Sequence, residues 1–374
     1  MSRRSWEKTL RRIGIGIIGC GNISDAYLKA SPKFPVLDIV GVADINPAAA
    51  EAKAQAYALA AMTIEALLAD PRVEIVLNLT TPQHHVPVGL QAVAQGKHVY
   101  SEKPLATTLT DAARLVAAAR EKGVRVGCAP DTFLGGSHQT ARRLVDEGVI
   151  GTIVAGSAFM QVAGHELWHP NPDFYYQPGG GPMLDMGPYY LTCLVNLLGP
   201  VKSVTGQAKS SYATRTIGSG PRAGQTIDVE VPTHISGLLA FENGAAVSIT
   251  TSFDVWKHDH NHIELYGTSG SMIVSDPNQF QGDIRTSLRK GDWTLADQIH
   301  AYGDGNYRIL GLADMAQAIV SGREHRASLE LSLHVLEIME QIVRSAEIGQ
   351  RIDLKHGCGR PAPMRADLPF GILE

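Results

Sequence analysis

The chain has 374 residues, too many for one typical hydrophobic core, so we expect two domains. Its 44% hydrophobic and 19% charged residues are typical of a globular protein, and its net charge of -4 argues against a nucleic-acid partner. No apolar run is long enough to cross a bilayer, and four scattered cysteines predict a reducing compartment without disulfides or a cysteine-held metal: Cys20, Cys128, Cys193 and Cys358.

The stretch "SRRSWEK", Ser2 to Lys8, resembles the start of a twin-arginine export signal. Such a signal continues into an uncharged apolar stretch. Here Arg11 and Arg12 interrupt that stretch, and the apolar run after them has the pattern of a working strand. We therefore predict a cytoplasmic protein, with export as the alternative.

Short apolar runs alternate with alanine-rich helical patterns over the first third of the chain. This alternation predicts an α/β Rossmann domain, a parallel sheet with helices on both faces, over residues 1–129. The predicted strands are Ile13–Ile18, Leu37–Ala43, Glu74–Leu79, His98–Ser101 and Val124–Cys128, and the clearest helices are Pro47–Leu59 and Thr110–Lys122.

From about Ile150 the predicted strands come in pairs. "HISGLLAF" and "AAVSITTSF" are joined by Glu242-Asn243-Gly244, a hairpin signal, and "NHIELYG" with "SMIVSD" forms a second pair. We predict an α+β domain over residues 130–374, with an open-faced, mainly antiparallel sheet. Helical patterns cover residues 182–198 and 309–347.

A glycine-rich turn follows the first strand. Gly19 and Gly21 fill the first two positions of a G-x-G-x-x-G fingerprint, and Ser24 stands at the third. The glycines allow a tight turn and let a pyrophosphate approach the helix N-terminus, where Asn22 and Ile23 follow. Such turns also form for packing alone, but this position favours a dinucleotide site.

The second predicted strand ends in "VAD", with Asp44 where a ribose-binding acid belongs. Its carboxylate would accept hydrogen bonds from the adenosine ribose and repel a 2′-phosphate. Ile45 follows instead of an arginine, so the sequence favours NAD over NADP. Alternatively, Asp44 only caps the helix that begins near Pro47.

The stretch "HVYSEKPLATTL" places Lys103 between a glutamate and a proline at the end of a buried strand. A residue before proline is extended, so Lys103 should continue the strand direction, with Glu102 pointing the opposite way. The carboxyl ends of parallel strands border the ligand crevice. Lys103 should therefore lie near a nicotinamide and stabilise developing alkoxide charge, unless it is a solvated loop lysine.

"GCGNIS", "VAD", "TTPQHHV" and above all "SEKP" resemble the Gfo/Idh/MocA oxidoreductases, named after glucose–fructose oxidoreductase, inositol dehydrogenase and a rhizopine-catabolism protein. The resemblance extends into the last helical patterns. It implies a Rossmann domain and an open-faced sheet domain with NAD(P) in the cleft between them. The residues it implies on the cofactor side are Thr80, Thr81, Pro82 and His85, beside Glu102 and Lys103.

The family's second signature is G-G-x-x-x-D-x-G-x-H, and here the stretch is "GGGPMLDMGPYY". Asp185 matches the aspartate and Tyr189 takes the histidine position. Residues four apart on a helix share a face, so the two can converge on one substrate, although Pro188 should kink the helix. The resemblance implies that Lys103, Asp185 and Tyr189 are catalytic and contact substrate.

Glucose–fructose oxidoreductase and dihydrodiol dehydrogenase are similar to this sequence in carrying tyrosine at that position. A phenol is a poor base in water, but Lys103 and an oxidised nicotinamide would favour its anion. Tyr189 would then take the hydroxyl proton, Lys103 would polarise the oxygen, and Asp185 would orient sugar hydroxyls or the lysine. Alternatively, Tyr189 only packs, and Tyr190 or Lys103 handles the proton.

Two histidine-rich stretches raise the possibility of a metal. "HELWH", His165 to His169, matches a zinc-protease pattern that works only on a helix, and Pro170 disfavours one. We expect a loop beside the substrate pocket, with Trp168 or His169 touching a sugar, or else a surface loop.

"WKHDHNH" would place His258, His260 and His262 on one side of a strand. No acid or cysteine cluster accompanies them. We expect a sheet face near substrate, with His258 in contact, or a subunit contact. Neither stretch predicts a metal.

These features predict an NAD-dependent dehydrogenase or reductase acting on a secondary hydroxyl of a sugar, cyclitol or related polyol. The apolar face of the open sheet should be buried in a homodimer or homotetramer. The alternatives are an NAD-dependent glycosidase that oxidises, eliminates and reduces again, a non-catalytic NAD-binding regulator, and glucose–fructose-type chemistry with a retained cofactor.

Overall fold

A parallel sheet in the order β2-β1-β3-β4-β5 organises the first part of the chain. The structure is a computed structural model that describes residues 11–374, so the "SRRSWEK" stretch lies outside the described residues. The strands are β1 (Ile13–Ile18), β2 (Leu37–Ala43), β3 (Ile75–Asn78), β4 (His98–Ser101) and β5 (Val126–Cys128). The order reverses between β1 and β3, and such a switch point is where ligands bind in open α/β sheets.

Five helices accompany this sheet, and local sequence sets their ends. They are α1 (Asn22–Ala30), α2 (Pro47–Tyr57), α3 (Ile64–Ala69), α4 (Pro82–Ala94) and α5 (Leu109–Lys122). Asn46 caps α2 by accepting from the backbone N–H of Ala48, and α2 ends two residues earlier than predicted because Ala58 is left-handed, with φ 53°.

The second sheet is mixed and contains nine strands. All neighbouring pairs are antiparallel except the central β6–β11 pair, and the order is β15-β14-β13-β12-β6-β11-β10-β7-β16. The predicted fold class and the hairpin at Asn243 are confirmed. The strands are β6 (Ile153–Gln161), β7 (Val201–Lys209), β8 (Thr214–Thr216), β9 (Thr226–Asp228), β10 (His234–Phe241), β11 (Ala246–Ser252), β12 (Ile263–Gly267), β13 (Gly270–Val274), β14 (Arg285–Leu288), β15 (Thr294–Leu295) and β16 (Ile352–Asp353), with β8 and β9 forming a separate ribbon.

The helices of this part are α6 (Gly136–Asp146), α7 (Gly181–Leu198), α8 (Leu310–Ser321) and α9 (Leu329–Ile348). Helix α7 continues through Pro188. The predicted helical segment 309–347 is two helices, because Gly322 ends α8 in a left-handed conformation and Ser328 caps α9. Among the described helices, none is both long and apolar enough to span a membrane.

The two parts are joined along β5 as well as through the chain. Gly127 bridges to Ser328, and the backbone N–H of Cys128 donates to the carbonyl of Ala327. The N-terminus of α9 therefore extends the edge of the first sheet. We propose that the boundary between the two domains lies between residues 129 and 130, at the Ala129–Pro130 junction that follows β5.

The open face of the second sheet is mixed rather than uniformly apolar, which corrects the expectation of an apolar face. Leu238 on β10 and Tyr266 on β12 are exposed, with β11 and β6 between their strands. The same sheet also carries small polar residues, such as Ser236 on β10, whose hydroxyl pairs with that of Thr250 on β11 at 3.0 Å. Alternation on these strands buries one face and leaves a partly polar one outward.

The predicted row of histidines on a strand is wrong. Strand β12 begins only at Ile263, and residues 256–261 form a loop. The rings of His258 and His260 stack with centroids 5.8 Å apart, whereas Nδ1 of His262 pairs with the Tyr190 hydroxyl at 2.8 Å. Asp259 and Asn261, which separate the histidines, and Lys257 before them have low strand propensity, which explains why alternation alone was misleading.

Candidate active site

The glycine loop lies at the switch point between β1 and β3. A Cβ at Gly19 would be 2.6 Å from the carbonyl carbon of Leu79, and its φ is 106°, so only glycine fits there. Nothing lies within 4 Å of a Cβ placed on Gly21, which precedes α1, and no side chain caps that helix. The first N–H groups of α1, at Asn22 and Ile23, therefore face open space and fit a pyrophosphate.

Asp44 follows β2 beside a separate cavity of about 400 Å³. Its Oδ2 accepts from the backbone N–H of Cys20 at 2.7 Å, and its Oδ1 accepts from that of Asn46 at 2.8 Å. These bonds orient the carboxylate and leave lone pairs for two further hydroxyl donors. Ile45 is 91% exposed and also lines this cavity, which fits an adenosine.

The main cleft, of about 510 Å³, lies between the carboxyl ends of the first sheet and helix α7. Both parts of the chain contribute residues to its wall. Ten of these residues were predicted to bind cofactor or substrate. These are Gly21, Asn22, Ile23, Thr80, Thr81, Pro82, Glu102, Lys103, Asp185 and Tyr189, joined by Phe174 and Tyr175, which the sequence did not single out.

Lys103 and Asp185 form an ion pair across this cleft. The Lys103 Nζ donates to Asp185 Oδ1 at 2.9 Å and also to the backbone carbonyl of Asp185. Both side chains are more than four-fifths buried. Strand β4 ends at Ser101, so Lys103 reaches α7 from the loop after the strand, with the Lys103–Pro104 peptide bond cis.

Burial alone would destabilise both charges, but the pair stabilises them. Burial would lower the pKa of Lys103, yet the negative charges that the Asp185 carboxylate and a Tyr189 phenolate place beside it outweigh burial and raise that pKa above its usual value. Burial would raise the pKa of Asp185, but Lys103 and His165 lower it to about 2. An ammonium and a carboxylate are therefore both present near neutral pH.

Tyr189 faces the same cavity, one helical turn after Asp185. The Lys103 Nζ lies 5.2 Å from the centroid of its ring. An Nη of Arg308 donates to its hydroxyl at 3.4 Å. Tyr190, the alternative proton carrier, instead points to His262, and burial raises its pKa.

Glu102 and Lys103 have different partners: Lys103 contacts α7, and Glu102 contacts α1. Glu102 Oε1 accepts from the Tyr27 hydroxyl at 2.7 Å, and its Oε2 accepts from the backbone N–H of Lys103 at 2.9 Å. These bonds tie α1 to the loop that carries the lysine. Glu102 is buried at 8% exposure and contributes mainly to the floor of the cleft.

His85 is buried and is not among the residues that line the cleft. It is 1% exposed, and its ring nitrogens pair with the backbone carbonyls of Pro104 and Thr80 at 2.7 and 3.0 Å. Either ring nitrogen of His85 therefore has a backbone carbonyl as acceptor when it carries the proton. His85 supports the two cleft loops from behind.

His165 is a site residue that the sequence did not identify as such. Its Nε2 pairs with Asp185 Oδ2 at 3.1 Å, on the oxygen that Lys103 leaves open. Its ring packs among Trp168, Tyr175 and Phe253, with centroids 4.4 to 5.3 Å away. The available signal was the histidine- and aromatic-rich stretch "HELWHPNPDFYY" directly before the Gly-rich start of α7.

The segment that matches the zinc-protease pattern is not an α-helix. His165–Leu167 is a single 3-10 turn, and the Glu166 carboxylate pairs with Arg215 at 2.9 Å and accepts from the Tyr176 hydroxyl. Glu166 is therefore engaged in a buried network that holds this loop. Within residues 11–374 no group of three or more histidine, cysteine or acidic side chains is placed to hold a metal.

Three predicted substrate contacts lie outside the cleft wall. Trp168 is 58% exposed and contacts the edge of His165. His169 packs against Phe174 and Trp168, behind the aromatic wall. His258 stacks on a neighbouring histidine in the 256–261 loop, and the structure does not bring it to the ion pair.

Together these groups can bind a hydroxylated molecule beside a dinucleotide. The cleft has an ammonium donor, a carboxylate acceptor and a phenol on one side, with aromatic rings as an apolar wall. Such a wall suits the C–H faces of a polyol ring, while the polar groups fix its hydroxyls. Fold and site thus define a two-domain, dinucleotide-dependent oxidoreductase.

Comparison with known proteins gives the family. A model of the "Oxidoreductase family, NAD-binding Rossmann fold" matches residues 13–129, and one of the "GFO/IDH/MocA C-terminal domain" matches residues 138–273. The chain belongs to the Gfo/Idh/MocA oxidoreductase family, as the resemblance implied. Its first domain is NAD-binding, and the prediction of an NAD(P)-dependent oxidoreductase is confirmed.

Three similar proteins illustrate the match. The chain is 32% identical over 239 residues to dTDP-3,4-didehydro-2,6-dideoxy-alpha-D-glucose 3-reductase of Streptomyces violaceoruber, covering 63% of this chain and 68% of that protein. It is 28% identical to 1,5-anhydro-D-fructose reductase of Ensifer adhaerens, with 91% and 98% covered. Levoglucosan dehydrogenase with NADH and L-sorbose shares the fold, with a TM-score of 0.80 at 21% identity and 92% and 99% coverage.

We predict that His165→Leu lowers kcat/KM by up to about 100-fold, because Asp185 loses a partner and Lys103 loses its fixed direction. His165→Gln keeps an N–H donor and should stay near wild-type activity, which makes it the matched control. Steady-state kinetics on both variants, with thermal unfolding to check folding, measures the effect. Equal activity of the leucine variant and the wild type would show that His165 only packs.

Proposed function

We propose that this oxidoreductase transfers hydride between a secondary hydroxyl of a sugar, cyclitol or related polyol and NAD. The observation that carries the proposal is the Lys103–Asp185 ion pair, at 2.9 Å, in one cavity with the glycine loop and Tyr189. The relatives named as sugar reductases support this substrate class. Net NAD-linked turnover distinguishes it from the glycosidase, which would release free sugar without net NADH.

In the proposed mechanism Lys103 donates a hydrogen bond to the reacting oxygen and stabilises its developing negative charge. Asp185 holds the ammonium in that direction through Oδ1. In the oxidative direction Tyr189 removes the hydroxyl proton, and in reduction it returns one. The bound nicotinamide supplies or accepts the hydride.

Besides the loops that carry Asp44 and Lys103, two loops of the first domain would hold the cofactor. Gly19, Gly21 and the N-terminus of α1 fit the pyrophosphate, and Thr80, Thr81 and Pro82 border the cleft at the start of α4. The Thr80 hydroxyl donates to Asn78 Oδ1 at 2.7 Å, which fixes this loop after β3.

We predict that Lys103→Ala lowers kcat/KM by about 100- to 1000-fold, because one preorganised donor to the reacting oxygen is lost. The measurement is NAD+ reduction with a panel of sugars, inositols and sugar acids. Lys122→Ala, on the exposed end of α5, is the control. A folded alanine variant that turns over like wild type would refute the assigned role.

We also propose that NAD is preferred over NADP. The oriented Asp44 carboxylate supports this preference, because it would accept from the ribose hydroxyls and repel a 2′-phosphate. None of the described residues around the adenosine-sized cavity is an arginine.

Asp44→Ser should lower kcat/KM for NAD+ by about 10- to 100-fold, since a hydrogen bond to a charged group contributes about 1.5–3 kcal/mol. It should affect kcat/KM for NADP+ less, so kcat/KM for NAD+ divided by kcat/KM for NADP+ should fall. Asp38→Ser, on the exposed side of the same strand, is the control. An unchanged ratio would show that Asp44 does not select the cofactor.

We propose that the open face of the second sheet pairs with a second copy in a homodimer or homotetramer. Leu238, 52% exposed in the interior strand β10, supports this proposal. The small Ser and Thr side chains around it would allow close approach of two sheets, with polar groups satisfied across the contact.

Leu238→Glu should shift the protein toward monomer, because each copy would bury a carboxylate in the contact. Sedimentation velocity measures the change. Leu295→Glu, at an edge strand with 63% exposure, tests whether any exposed leucine gives the same result. An assembly that tolerates Leu238→Glu would place the interface elsewhere.

The cytoplasmic location stays a prediction. Burial of Ile13–Ile18 as strand β1, between β2 and β3, supports it, since this run is part of the folded sheet.

A further inference from the structure

Arg308 is the one polar partner of the Tyr189 hydroxyl among the hydrogen bonds of the described residues. It stands two residues before α8, in a segment whose backbone is fixed. Asp131 Oδ2 accepts from the backbone N–H groups of Ile309 and Gly311 at 3.0 and 2.9 Å. Gly311 permits this approach, because a Cβ there would lie 2.0 Å from the Tyr100 hydroxyl.

The guanidinium of Arg308 is held but not neutralised. One Nη donates to Asn278 Oδ1 at 2.7 Å and to the Tyr189 hydroxyl at 3.4 Å. In the part of the chain that the structure describes, no carboxylate forms a salt bridge with Arg308. A partly buried cation without a paired anion is costly, and a phenolate would be a suitable counter-charge.

Lys103 is less able to supply that charge. Its ammonium is already paired with Asp185, whose carboxylate offsets part of its charge. The ammonium also lies over the ring, 5.2 Å from the centroid, whereas Arg308 reaches the oxygen itself. Arg308 is therefore the cation that contacts the phenolic oxygen directly, while Lys103 acts on the ring from a greater distance.

We infer that Arg308 is a positioning residue that makes Tyr189 a usable base by stabilising its phenolate. The inference rests on the proposed function for its role in turnover. When Tyr189 is neutral, Arg308 occupies a lone pair of the phenolic oxygen, so the O–H points away from Arg308. When the phenolate takes the substrate hydroxyl proton, a neutral phenol remains and the hydride leaves the same carbon for the nicotinamide.

Other charged groups also face this pair. Toward Tyr189 these are Lys103, Asp185 and Tyr175, and the pKa of Tyr175 is raised to about 12 by burial and by Asp185. Burial would lower the pKa of Arg308, but Tyr189 raises it above its usual value, with Glu102 and Asp131 contributing.

The two nearby carboxylates have other partners. Glu102 binds Tyr27 and a backbone N–H, while Asp131 binds the start of α8. Burial raises the pKa of Asp131 to about 6, although the N–H groups of Gly311 and Ile309 lower it. At alkaline pH all these carboxylates are charged, so they form a constant background for a titration of Tyr189.

The test is an alkaline titration of tyrosinate absorbance in the free protein, without substrate. The chain has 11 tyrosines, so the Tyr189 signal is obtained by subtracting the titration of Tyr189→Phe. Arg308→Gln should move this signal up by about one pH unit or more, because a tenfold loss of phenolate stabilisation equals one unit. Arg308→Lys should restore part of the shift.

Two further variants keep the outcome unambiguous. Asn278→Asp retains the arginine but gives it a carboxylate partner, so the same upward shift is expected even if Arg308→Gln folds poorly. Arg285→Gln, exposed on β14, should leave the titration unchanged. A Tyr189 signal that is the same in wild type, Arg308→Gln and Asn278→Asp overturns the inference.

The pH profile of kcat adds a second readout. In the Arg308 variants, the apparent pKa of the essential base in this profile should rise together with the midpoint of the absorbance titration. If the absorbance shifts while no polyol is oxidised by any variant, the Arg308–Tyr189 coupling holds and the proposed function fails. If turnover is normal and the absorbance does not move, the inference alone fails.

Discussion

The ion pair between Lys103 and Asp185 is the constraint on which the site depends. It joins a loop of the parallel sheet to a helix of the second domain, at 82 residues' separation and with little access to water. Two charges in such a place are stable only as a pair, since removal of either leaves the other buried alone. The pair therefore determines both the direction of the ammonium and the relative position of the two walls of the cleft.

The surrounding structure makes this geometry possible. Glu102 ties the lysine loop to α1, and His165 occupies the second oxygen of Asp185. His165 is in turn packed by aromatic rings on a loop fixed through Glu166 and Arg215. Each element limits the movement of the next, so that a flexible lysine side chain acquires one direction.

The sequence was most informative where local rules decide the structure. The strands of the first sheet, the glycine turn and the hairpin at Asn243 follow from periodicity and turn chemistry. Lys103, Asp185 and Tyr189 were brought together through a family motif. His165 and Arg308 were missed because their partners lie 20 and 119 residues away in the chain, and no local pattern records such a pairing.

In the histidine-rich loop, a local pattern instead predicted a strand that the structure does not contain. Its alternation satisfied the geometric rule for a strand, yet residues 256–261 form a loop and β12 begins only at Ile263. For His85, position in a motif identified the segment but not the direction of the side chain. Burial of a ring between two carbonyls depends on contacts that the motif does not contain.

The seam between β5 and the start of α9 has a consequence for how the chain folds during synthesis. Strand β5 is the edge of the first sheet, and the residues that cover part of it, 327 and 328, are made about two hundred residues later. The nascent first domain would therefore emerge from the ribosome with an uncovered strand edge. Such an edge is where chaperones and unwanted intermolecular pairing act, so completion of translation also completes the protection of this sheet.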